Sequence, residues 1–580
     1  MDKPEVVRCL RLANDLWAIE GANPFSIRAH ERSAAAIWDS PLDLEAILAL
    51  PPSSIPGVGK ETLAMVRALQ AGGLPALLDR LQITIPLSAA ELLHLPGIGP
   101  KTAHQLVHQL GIDSVGALAR EFAAGRVQQI SGLGPAKLAR LKRDLEVMLE
   151  RQHSIPIALA TPVAEEVVAA LQGMPGVQQA VATGALRRGV VSIPVIEVLV
   201  ASDDASRVRQ WAKDHCQHSR DTADERDDRL HIQVQTAAEA VPVTITVTSV
   251  EQFPGVLFRS TGDDTHQQVI DEMLHEQGIS WTADGRLQPT DNTAGASKRG
   301  MPTSVQDEGD IYALVGLPWL PPELREDKGM LQDPSQLVEP SDIRGDLHVH
   351  STWSDGSQSI REVAAKAESL GYEYIAITDH SQSLTIANGL TPERVALQQQ
   401  EIAQVQTETP VRLLCGTEVD ILADGRLDLP DDTLYSLDLV VASVHGAMQQ
   451  SAQQMTERIL SAIEHPAVHI IGHLTGRIIG RRAGYEVDVE AILQAAVRHG
   501  VMLELNANPN RLDISEVWLR RAQALGLLVP IDTDAHHQRE FAHMAYGVRM
   551  ARRGWLRRET VFNARPLAEL LPKLQKQNRH

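Results

Sequence analysis

Short apolar runs and longer amphipathic stretches alternate along the 580 residues and divide the chain into three regions. In residues 1–150 the apolar positions recur at helical spacing, which predicts an all-helical region. The middle region has one helical stretch, 164–171, followed by β-branched runs at 190–200 and 241–250 that predict strands. From residue 344 onward, seven apolar runs alternate with helical patterns, as in parallel β/α units. The pattern therefore predicts a multidomain protein with α+β and α/β parts.

Three turns in the first region share the pattern Gly-apolar-Gly, and each precedes a helical stretch. Their glycines are Gly57 and Gly59, Gly97 and Gly99, and Gly132 and Gly134. Paired glycines allow a tight turn with positive φ, and the free N–H groups of the following helix attract phosphate oxygens without reading bases. Lys101 and Lys137 follow two of these turns and add positive charge. The turns resemble helix-hairpin-helix motifs, which implies contact with the DNA backbone; a purely structural helical repeat is the alternative.

The middle region resembles the palm of family X DNA polymerases. In that family a Gly-Ser-x-Arg-Arg turn holds the nucleotide, and three aspartates hold two Mg²⁺ ions. The matching positions here are Gly184, Ala185, Arg188, Val195, Glu197 and Thr244. Valine offers no oxygen and threonine only a neutral one, so a single carboxylate remains for a two-metal site. The resemblance with these departures predicts an inactive polymerase centre, with residual gap-filling polymerase activity as the alternative.

Two further segments of the middle region extend the resemblance. Phe253 and 260–262 match a sugar-contacting turn of the family, and 312–326 resembles the end of its thumb. The stretch 283–310 is rich in small and polar residues and predicts a loop. Met65 stands where related enzymes carry a lyase lysine, so we predict a core methionine and no lyase chemistry there.

Histidines and acids recur at the ends of the seven apolar runs of the last region. Nine of them have metal-binding side chains: His348, His350, Asp355, His380, Glu418, His445, His473, Asp534 and His536. The C-terminal ends of parallel strands meet at one face of a barrel, so these side chains are expected to converge. One such histidine alone is usually a surface or core residue, but nine at strand ends predict a metal cluster. Imidazole and carboxylate ligands without thiolate favour Mn²⁺, Zn²⁺ or Fe over Mg²⁺ alone.

Residues 344–580 resemble the PHP (polymerase and histidinol phosphatase) domain, which implies a distorted (β/α)7 barrel with three divalent metal ions. The resemblance implies three ligand sets: His348, His350, Glu418 and Asp534; Glu418, His445 and His473; and Asp355, His380 and His536. It gives the catalytic roles to Glu418, Asp534 and His536.

Other polar residues of the last region are assigned by position alone. Arg477 or Arg511, each just past a strand end, is a candidate for binding a substrate phosphate, with a surface role as the alternative. His465, His469 and His537 lie away from strand ends or beside other ligands and are predicted not to bind metal.

The chain as a whole resembles bacterial family X DNA polymerases that have lost the polymerase centre. This implies two helix-hairpin-helix domains (1–82 and a fingers-like 83–150), a degenerate palm (151–262), a thumb-like domain (263–326), a linker (327–343) and the PHP domain (344–580). We expect a 3′–5′ exonuclease or 3′-end processing enzyme of DNA repair. A small-molecule phosphatase of the histidinol phosphatase type and a non-catalytic repair scaffold are alternatives.

The charge distribution bears on the expected partner. Of the net charge of −20, residues 1–150 contribute −1, residues 151–343 contribute −14 and residues 344–580 contribute −5. The helix-hairpin-helix region is therefore nearly neutral, and the acidity does not exclude DNA. The partner expected is gapped, nicked or primer–template DNA, bound by a monomer. Three distant cysteines and the lack of a signal peptide or long apolar run predict a protein of the bacterial cytoplasm, associated with the nucleoid and not with a membrane.

Overall fold

A computed structural model gives the structure of the protein. It describes residues 3–40, 42, 44–51, 54–55, 57–95, 97–127, 134–152, 154–215, 229–236, 240–282, 284–290, 305–326 and 334–575. Contacts between residues divide the chain into two compact units. The first comprises 1–153 with the short segments 235–240 and 480–483, and the second comprises the rest of the chain. None of the described helices is long and apolar enough to cross a membrane.

The first unit is helical, as predicted. Its helices are α1 (Lys3–Ile19), α2 (Pro24–Asp39), α3 (Leu44–Ala49), α4 (Lys60–Leu81), a 3-10 helix (Leu87–His94), α5 (Pro100–Leu110), α6 (Val115–Ala123) and α7 (Pro135–Gln152). Helix α1 is shared between two cores. Val6 and Leu10 pack with α2 and α4, whereas Leu16 and Ile19 pack with α5 and α6. Met65 is buried in the first of these cores, as expected.

The second unit begins with a four-stranded sheet flanked by helices. Its elements are β1 (Ile155–Pro156), α8 (Ile157–Gln172), β2 (Val177–Thr183), α9 (Gly184–Arg187), β3 (Ser192–Ile193), β4 (Ile196–Ser202), α10 (Ala205–His215), β5 (Arg229–Gln235) and β6 (Ala240–Thr248). The sheet has the order β2-β4-β6-β5, with β2 antiparallel and β6 parallel to β4. The single strand predicted over 190–200 is wrong, because Pro194, which lacks an amide hydrogen, separates β3 from β4.

A small helical subdomain follows this sheet. It contains α11 (Phe253–Thr261), α12 (Asp264–Glu276), β7 (Ile279–Trp281), β8 (Leu287–Pro289), α13 (Glu308–Leu314) and a 3-10 helix (Pro322–Leu324). Phe258, Ile270 and Tyr312 are buried in its core. The loop predicted over 283–310 contains β8, while 291–304 lie outside the described residues.

The remainder of the second unit is a barrel of parallel strands. Its strands are β9 (Gly345–Val349), β10 (Tyr374–Ile377), β11 (Arg412–Asp420), β12 (Leu439–Ser443), β13 (Ile470–Ile471), β14 (Met502–Leu503), β15 (Leu505–Asn506) and β16 (Ile531–Asp532). Its helices are α14 (Ile360–Ser369), α15 (Pro392–Gln406), α16 (Asp431–Tyr435), α17 (Ala452–Glu464), α18 (Val489–His499), α19 (Glu516–Ala524), α20 (Met544–Arg553) and α21 (Leu567–Leu574).

The strands of the barrel follow one another around the sheet. Six of them pair in parallel in the order β14-β13-β12-β11-β10-β9, and β15 pairs with β16. A parallel bridge from Val349 to Ala535 joins β9 to the chain just after β16. The seven predicted apolar runs are therefore all strands, the sixth being split into β14 and β15, and the distorted β/α barrel is confirmed.

Candidate metal centre

Glu418, near the end of β11, lies at the centre of a group of histidines. Both its side chain and its backbone are buried. Its carboxylate oxygens lie 2.8 Å from His380 Nδ1, 2.9 Å from His473 Nε2, 3.3 Å from His445 Nε2, 3.5 Å from His348 Nε2 and 3.6 Å from His350 Nε2. These five histidines come from the ends of four strands, β9, β10, β12 and β13, so the fold brings together residues that are far apart in sequence.

Two aspartates complete the group on its other sides. Asp534 Oδ1 lies 3.1 Å from His350 Nε2. Asp355 Oδ1 lies 3.4 Å from His536 Nε2 and 3.5 Å from His380 Nε2. Asp534 adopts a φ of 55°, a left-handed conformation that is rare for a residue other than glycine and clusters at functional sites.

Ligand atoms that lie within 4.8 Å of one another define three groups able to hold a metal ion. The groups are His350, Asp355, His380 and His536; His348, His350 and Asp534; and His380, Glu418 and His445. Eight of the nine predicted ligands fall in these groups, and the ninth, His473, contacts Glu418. The groups overlap the ligand sets predicted from sequence without reproducing them, and those sets remain predictions.

Unpaired atoms of the cluster fit a metal ion. Among the described residues, His348 Nε2 and both ring nitrogens of His350 are buried without a hydrogen-bond partner. A buried polar atom without a partner is costly, and a divalent ion would supply a partner to His348 Nε2 and to the unprotonated ring nitrogen of His350. The mixture of imidazole and carboxylate donors matches Mn²⁺, Zn²⁺ or Fe.

The protonation of the cluster also suits a cation. Burial alone would raise the pKa of Asp355, but the neighbouring histidines lower it to about 2, so it stays charged. Burial opposes protonation of His445, yet two nearby carboxylates raise its pKa to about 10. For His350, burial and the adjacent His536 lower the pKa to about 3. A divalent ion would find His350 already neutral and would displace the proton from His445.

Two carboxylates outside the predicted set orient the histidines. Glu504 Oε1 lies 2.6 Å from His348 Nδ1, and its other oxygen accepts a hydrogen bond from the His473 backbone N–H at 2.6 Å. Asp420 Oδ1 lies 2.6 Å from His445 Nδ1. A carboxylate on the second ring nitrogen fixes the tautomer of a histidine ligand and directs the first nitrogen toward the metal.

A third carboxylate, Asp379, organises the loop that carries Asp355. It accepts hydrogen bonds from the N–H and hydroxyl groups of Ser351 at 2.8 and 2.5 Å, from both groups of Ser354, and from Gln398 Nε2 at 2.5 Å. Asp379 is itself buried. The loop from 351 to 354 is therefore fixed in a conformation that places Asp355 beside His380 and His536.

Sequence reasoning missed these three carboxylates. A signal was present for Asp420, which lies two residues after Glu418 on the same strand and therefore on the same side. Glu504 and Asp379 also lie at strand ends, but acids at such positions are common and their partners are distant in sequence.

The two candidate arginines differ in what they contact. Arg511 Nε lies 3.8 Å from Asp534 Oδ2, at the edge of the cluster. Arg477 donates from Nε to the backbone oxygen of Arg511 at 2.7 Å and also contacts the oxygen of Leu512. Arg511 is thus the arginine beside the cluster, and Arg477 supports the loop that carries it.

The histidines predicted not to bind metal have other contacts. His469 is buried, where its Nδ1 accepts from the N–H of Val440 and its Nε2 donates to the oxygen of Leu574. His465 lies 3.3 Å from Asp431, and His537 Nδ1 accepts from the N–H of Arg539.

Four of the six residues at the predicted polymerase centre line an open cleft of about 1080 Å³: Gly184, Ala185, Arg188 and Glu197. Glu197 on β4 is the register partner of Thr183 on β2 and of Thr244 on β6. Its carboxylate lies against Gly184, where a Cβ atom would be 1.8 Å from Glu197 Oε2. Ala185 and Arg188 line the same cleft, and Val195 immediately precedes β4.

Both arginines of the turn after β2 are paired with carboxylates. Arg187 donates to both oxygens of Glu308 at 2.8 Å. Arg188 donates from Nε to Glu326 at 2.7 Å and from a terminal nitrogen to the backbone oxygen of Thr261 at 2.7 Å. The positive charges of the turn are therefore engaged within the protein.

In the first unit, the glycine turns begin helices as predicted. Gly57 and Gly97 each have a φ of +88°, and α4, α5 and α7 begin directly after Gly59, Gly99 and Gly134. A Cβ atom built at Gly59, Gly97 or Gly99 would meet no other heavy atom within 4 Å among the described residues, so these turns have an open side. Lys101 is exposed on α5, and Lys137 on α7. Gly132 lies outside the described residues.

Family models match three parts of the chain. The model of the PHP domain matches residues 346–508, that of a SAM-like helix-hairpin-helix tandem matches 89–146, and that of the DNA polymerase beta thumb matches 256–326. Fold and site therefore define a hydrolase of the PHP type joined to the modules of a DNA polymerase.

Known relatives cover either nearly the whole chain or about a third of it. A Bacillus subtilis protein named DNA polymerase/3′-5′ exonuclease PolX is 33% identical over 574 residues, which are 98% of this chain and 99% of that protein. The chain belongs to the bacterial family X DNA polymerases with a PHP domain. A probable phosphatase of a Thermoanaerobacter species is 27% identical over 237 residues, 38% of this chain and 89% of that protein. A probable phosphatase of Syntrophotalea carbinolica is 33% identical over 28% of this chain and 64% of that protein.

Proposed function

We propose that the chain is a metal-dependent 3′–5′ exonuclease or 3′-end processing enzyme that acts on DNA, and that its polymerase centre is inactive. The observation that carries the proposal is the convergence of five histidines on Glu418 at one end of the barrel. The full-length relative named as a 3′-5′ exonuclease supports the reaction. The open glycine turns of the first unit support DNA as the substrate.

The residues of the cluster would have distinct tasks. Three divalent ions held by the nine predicted ligands would activate water and stabilise the charge on the phosphate. Glu418, Asp534 and His536 are the proposed catalytic residues, and each belongs to a different one of the three ligand groups. Arg511 would bind a phosphate oxygen of the substrate, because its guanidinium lies beside the cluster and a guanidinium matches phosphate geometry.

The inactive palm follows from the side chains of the cleft. Glu197 is the single carboxylate among the three positions where the family carries aspartates. The other two positions hold Val195 and Thr244. Two ions about 3.5–4 Å apart need a set of bridging oxygen ligands, which one carboxylate cannot supply. We therefore expect the barrel, and not the palm, to be responsible for any change in the length of a DNA strand.

A primer–template assay with Mn²⁺ tests the proposal. A 5′-labelled primer with a recessed 3′ end is incubated with and without nucleotides, using wild type, His348→Asn and Glu197→Ala. We expect shortening by wild type and Glu197→Ala, at least a hundredfold loss in His348→Asn, and no extension by any of them. Extension that depends on Glu197 would show that the polymerase is active, and shortening that survives in His348→Asn would contradict the role of the barrel.

A small-molecule phosphatase is the second candidate function. It is favoured by the probable phosphatases, which match 38% and 28% of this chain. Turnover of a phosphate monoester by wild type, together with intact primer, would establish this function in place of the nuclease. The proposal places the protein in the bacterial cytoplasm as a monomer acting on gapped, nicked or primer–template DNA.

A further inference from the structure

An apolar side chain projects into solvent on the face of the barrel that carries the metal cluster. Ile386 is 94% exposed, more than any other large apolar residue of the described chain. It lies on a 3-10 turn, Thr385–Ala387, in the loop that leaves the barrel at His380 and returns at Leu390. Because this loop follows the C-terminal end of β10, it borders the mouth of the metal centre.

The loop is fixed on the side of the cluster. Leu390 N–H donates to the backbone oxygen of His380 at 2.7 Å. Ser383 donates from its N–H to Asp428 at 2.6 Å and from its hydroxyl to Asp420 at 2.5 Å. Since Asp420 also contacts His445 Nδ1, a single carboxylate joins the loop to a histidine of the cluster.

The loop is also fixed on its other side. Asn388 donates to the backbone oxygen of Trp353 at 3.2 Å. Arg394 donates to that same oxygen at 2.5 Å and to the backbone oxygen of Asn388 at 2.6 Å. Trp353 belongs to the segment between His350 and Asp355, so the loop is tied to a second part of the metal centre. Ile386 is therefore held in a defined position and is not the tip of a free segment.

Folding does not account for an isoleucine at this position. An apolar side chain stabilises a protein by leaving water, and a side chain that is 94% exposed has hardly done so. Its apolar surface is available to a molecule bound at the metal centre. A nucleotide at the end of a DNA strand offers a flat apolar base at a short distance from its phosphate, whereas a simple phosphate ester does not. Isoleucine is among the side chains that proteins insert against unstacked bases.

We propose that Ile386 is a specificity-determining residue that packs against the base of the terminal nucleotide while its phosphodiester lies at the metal centre. This inference rests on the proposed function, since it requires a DNA strand as the substrate. The contact would favour nucleic-acid ends over small phosphate esters.

The test compares two substrates in the full-length protein loaded with Mn²⁺. One is the 5′-labelled primer–template, and the other is the same primer–template with an abasic 3′-terminal residue, which has no base. The variants are Ile386→Ser, the conservative Ile386→Leu and, as a matched control, Val497→Ser. Val497 is 41% exposed near the end of α18, and helices of β/α units end at the opposite face of the barrel.

We expect Ile386→Ser to lower kcat/KM for the primer–template about tenfold. Ile386→Leu should retain at least half of the wild-type value, and Val497→Ser should match wild type. Removal of the abasic terminal residue and the bound metal per chain should stay within twofold of wild type in every variant.

Two results would overturn the inference. Ile386→Ser with wild-type activity on the primer–template would show that no base contacts the side chain. An equal loss on both substrates would assign Ile386 to the integrity of the metal centre. If wild type leaves both DNA substrates intact, the proposed function itself fails, and the inference falls with it.

Discussion

Glu326, which follows the small helical subdomain, binds one arginine of the palm and one of the barrel. Its replacement therefore tests how the palm is held to the barrel. Its two oxygens accept hydrogen bonds at 2.7 Å from Arg188 in the turn after α9 and from Arg553 at the end of α20. Arg553 also donates to the backbone oxygen of Arg188 at 3.0 Å. Burial would raise the pKa of Glu326, but the two guanidinium groups lower it, so the carboxylate is charged.

The expected cost of Glu326→Gln follows from what the two arginines would lose. Their side chains are only 13% and 7% exposed, so water does not replace the carboxylate. Removing one partner of a buried ion pair costs about 3–5 kcal/mol. In this variant Arg188 keeps its hydrogen bond to the backbone oxygen of Thr261, and Arg553 keeps its contact with Glu516 at 3.3 Å. These remaining contacts favour the lower end of the range, a cost of about 3 kcal/mol. At about 2 °C per kcal/mol for a large unit, the melting temperature should fall by about 6 °C.

Thermal unfolding of the full-length protein, followed by calorimetry, measures this effect. Glu490→Gln is the matched control, because Glu490 makes a similar pair with Arg521 on the surface, where both side chains are more than a third exposed. We expect the control to melt within about 1 °C of wild type. We also expect the double variant Glu326→Gln with Arg553→Met to lose less stability than the sum of the two single variants, since the two residues share one interaction. A melting temperature of Glu326→Gln equal to that of wild type would refute the reasoning.

Three further changes have defined outcomes. Burial and the charge of Arg325 lower the pKa of His266 to about 4. The neutral form of His266 therefore contributes stability to the folded protein above pH 6.5, and this contribution is lost as the pH falls toward 4. Wild type should therefore lose about 2 kcal/mol more between pH 7 and pH 5 than His266→Gln in urea unfolding, and equal losses would contradict this. Asp379→Ala should lower the bound metal per chain, measured by elemental analysis, because the loop carrying Asp355 loses its hydrogen bonds; an unchanged metal content would exclude a positioning role. Chelation should abolish phosphoester hydrolysis and Mn²⁺ should restore it; hydrolysis that persists in the metal-free protein would contradict a metal-dependent site.

Much of the fold and cluster was predictable because both rest on local patterns. Apolar runs that end in His or acid residues mark strand ends, and parallel strands place those ends together, so His348 and Asp534 could be matched without coordinates. Glu504 could not, because its role depends on contacts with His348 and His473 that no local pattern encodes. The same holds for Arg188, whose partners Glu326 and Arg553 lie far along the chain.

The engagement of Arg188 also bears on whether the cleft binds nucleotides. A triphosphate that used this guanidinium would have to displace Glu326, and breaking such a buried pair costs about 3 kcal/mol. Since 1.4 kcal/mol corresponds to a tenfold change in Kd, binding should be weakened roughly a hundredfold. We therefore expect a fluorescent dATP analogue with Mg²⁺ to bind wild type with a Kd of about 100 μM, two orders of magnitude weaker than micromolar binding. Micromolar binding would show that the ion pair between Glu326 and Arg188 opens readily, and that the guanidinium of Arg188 remains available to a nucleotide.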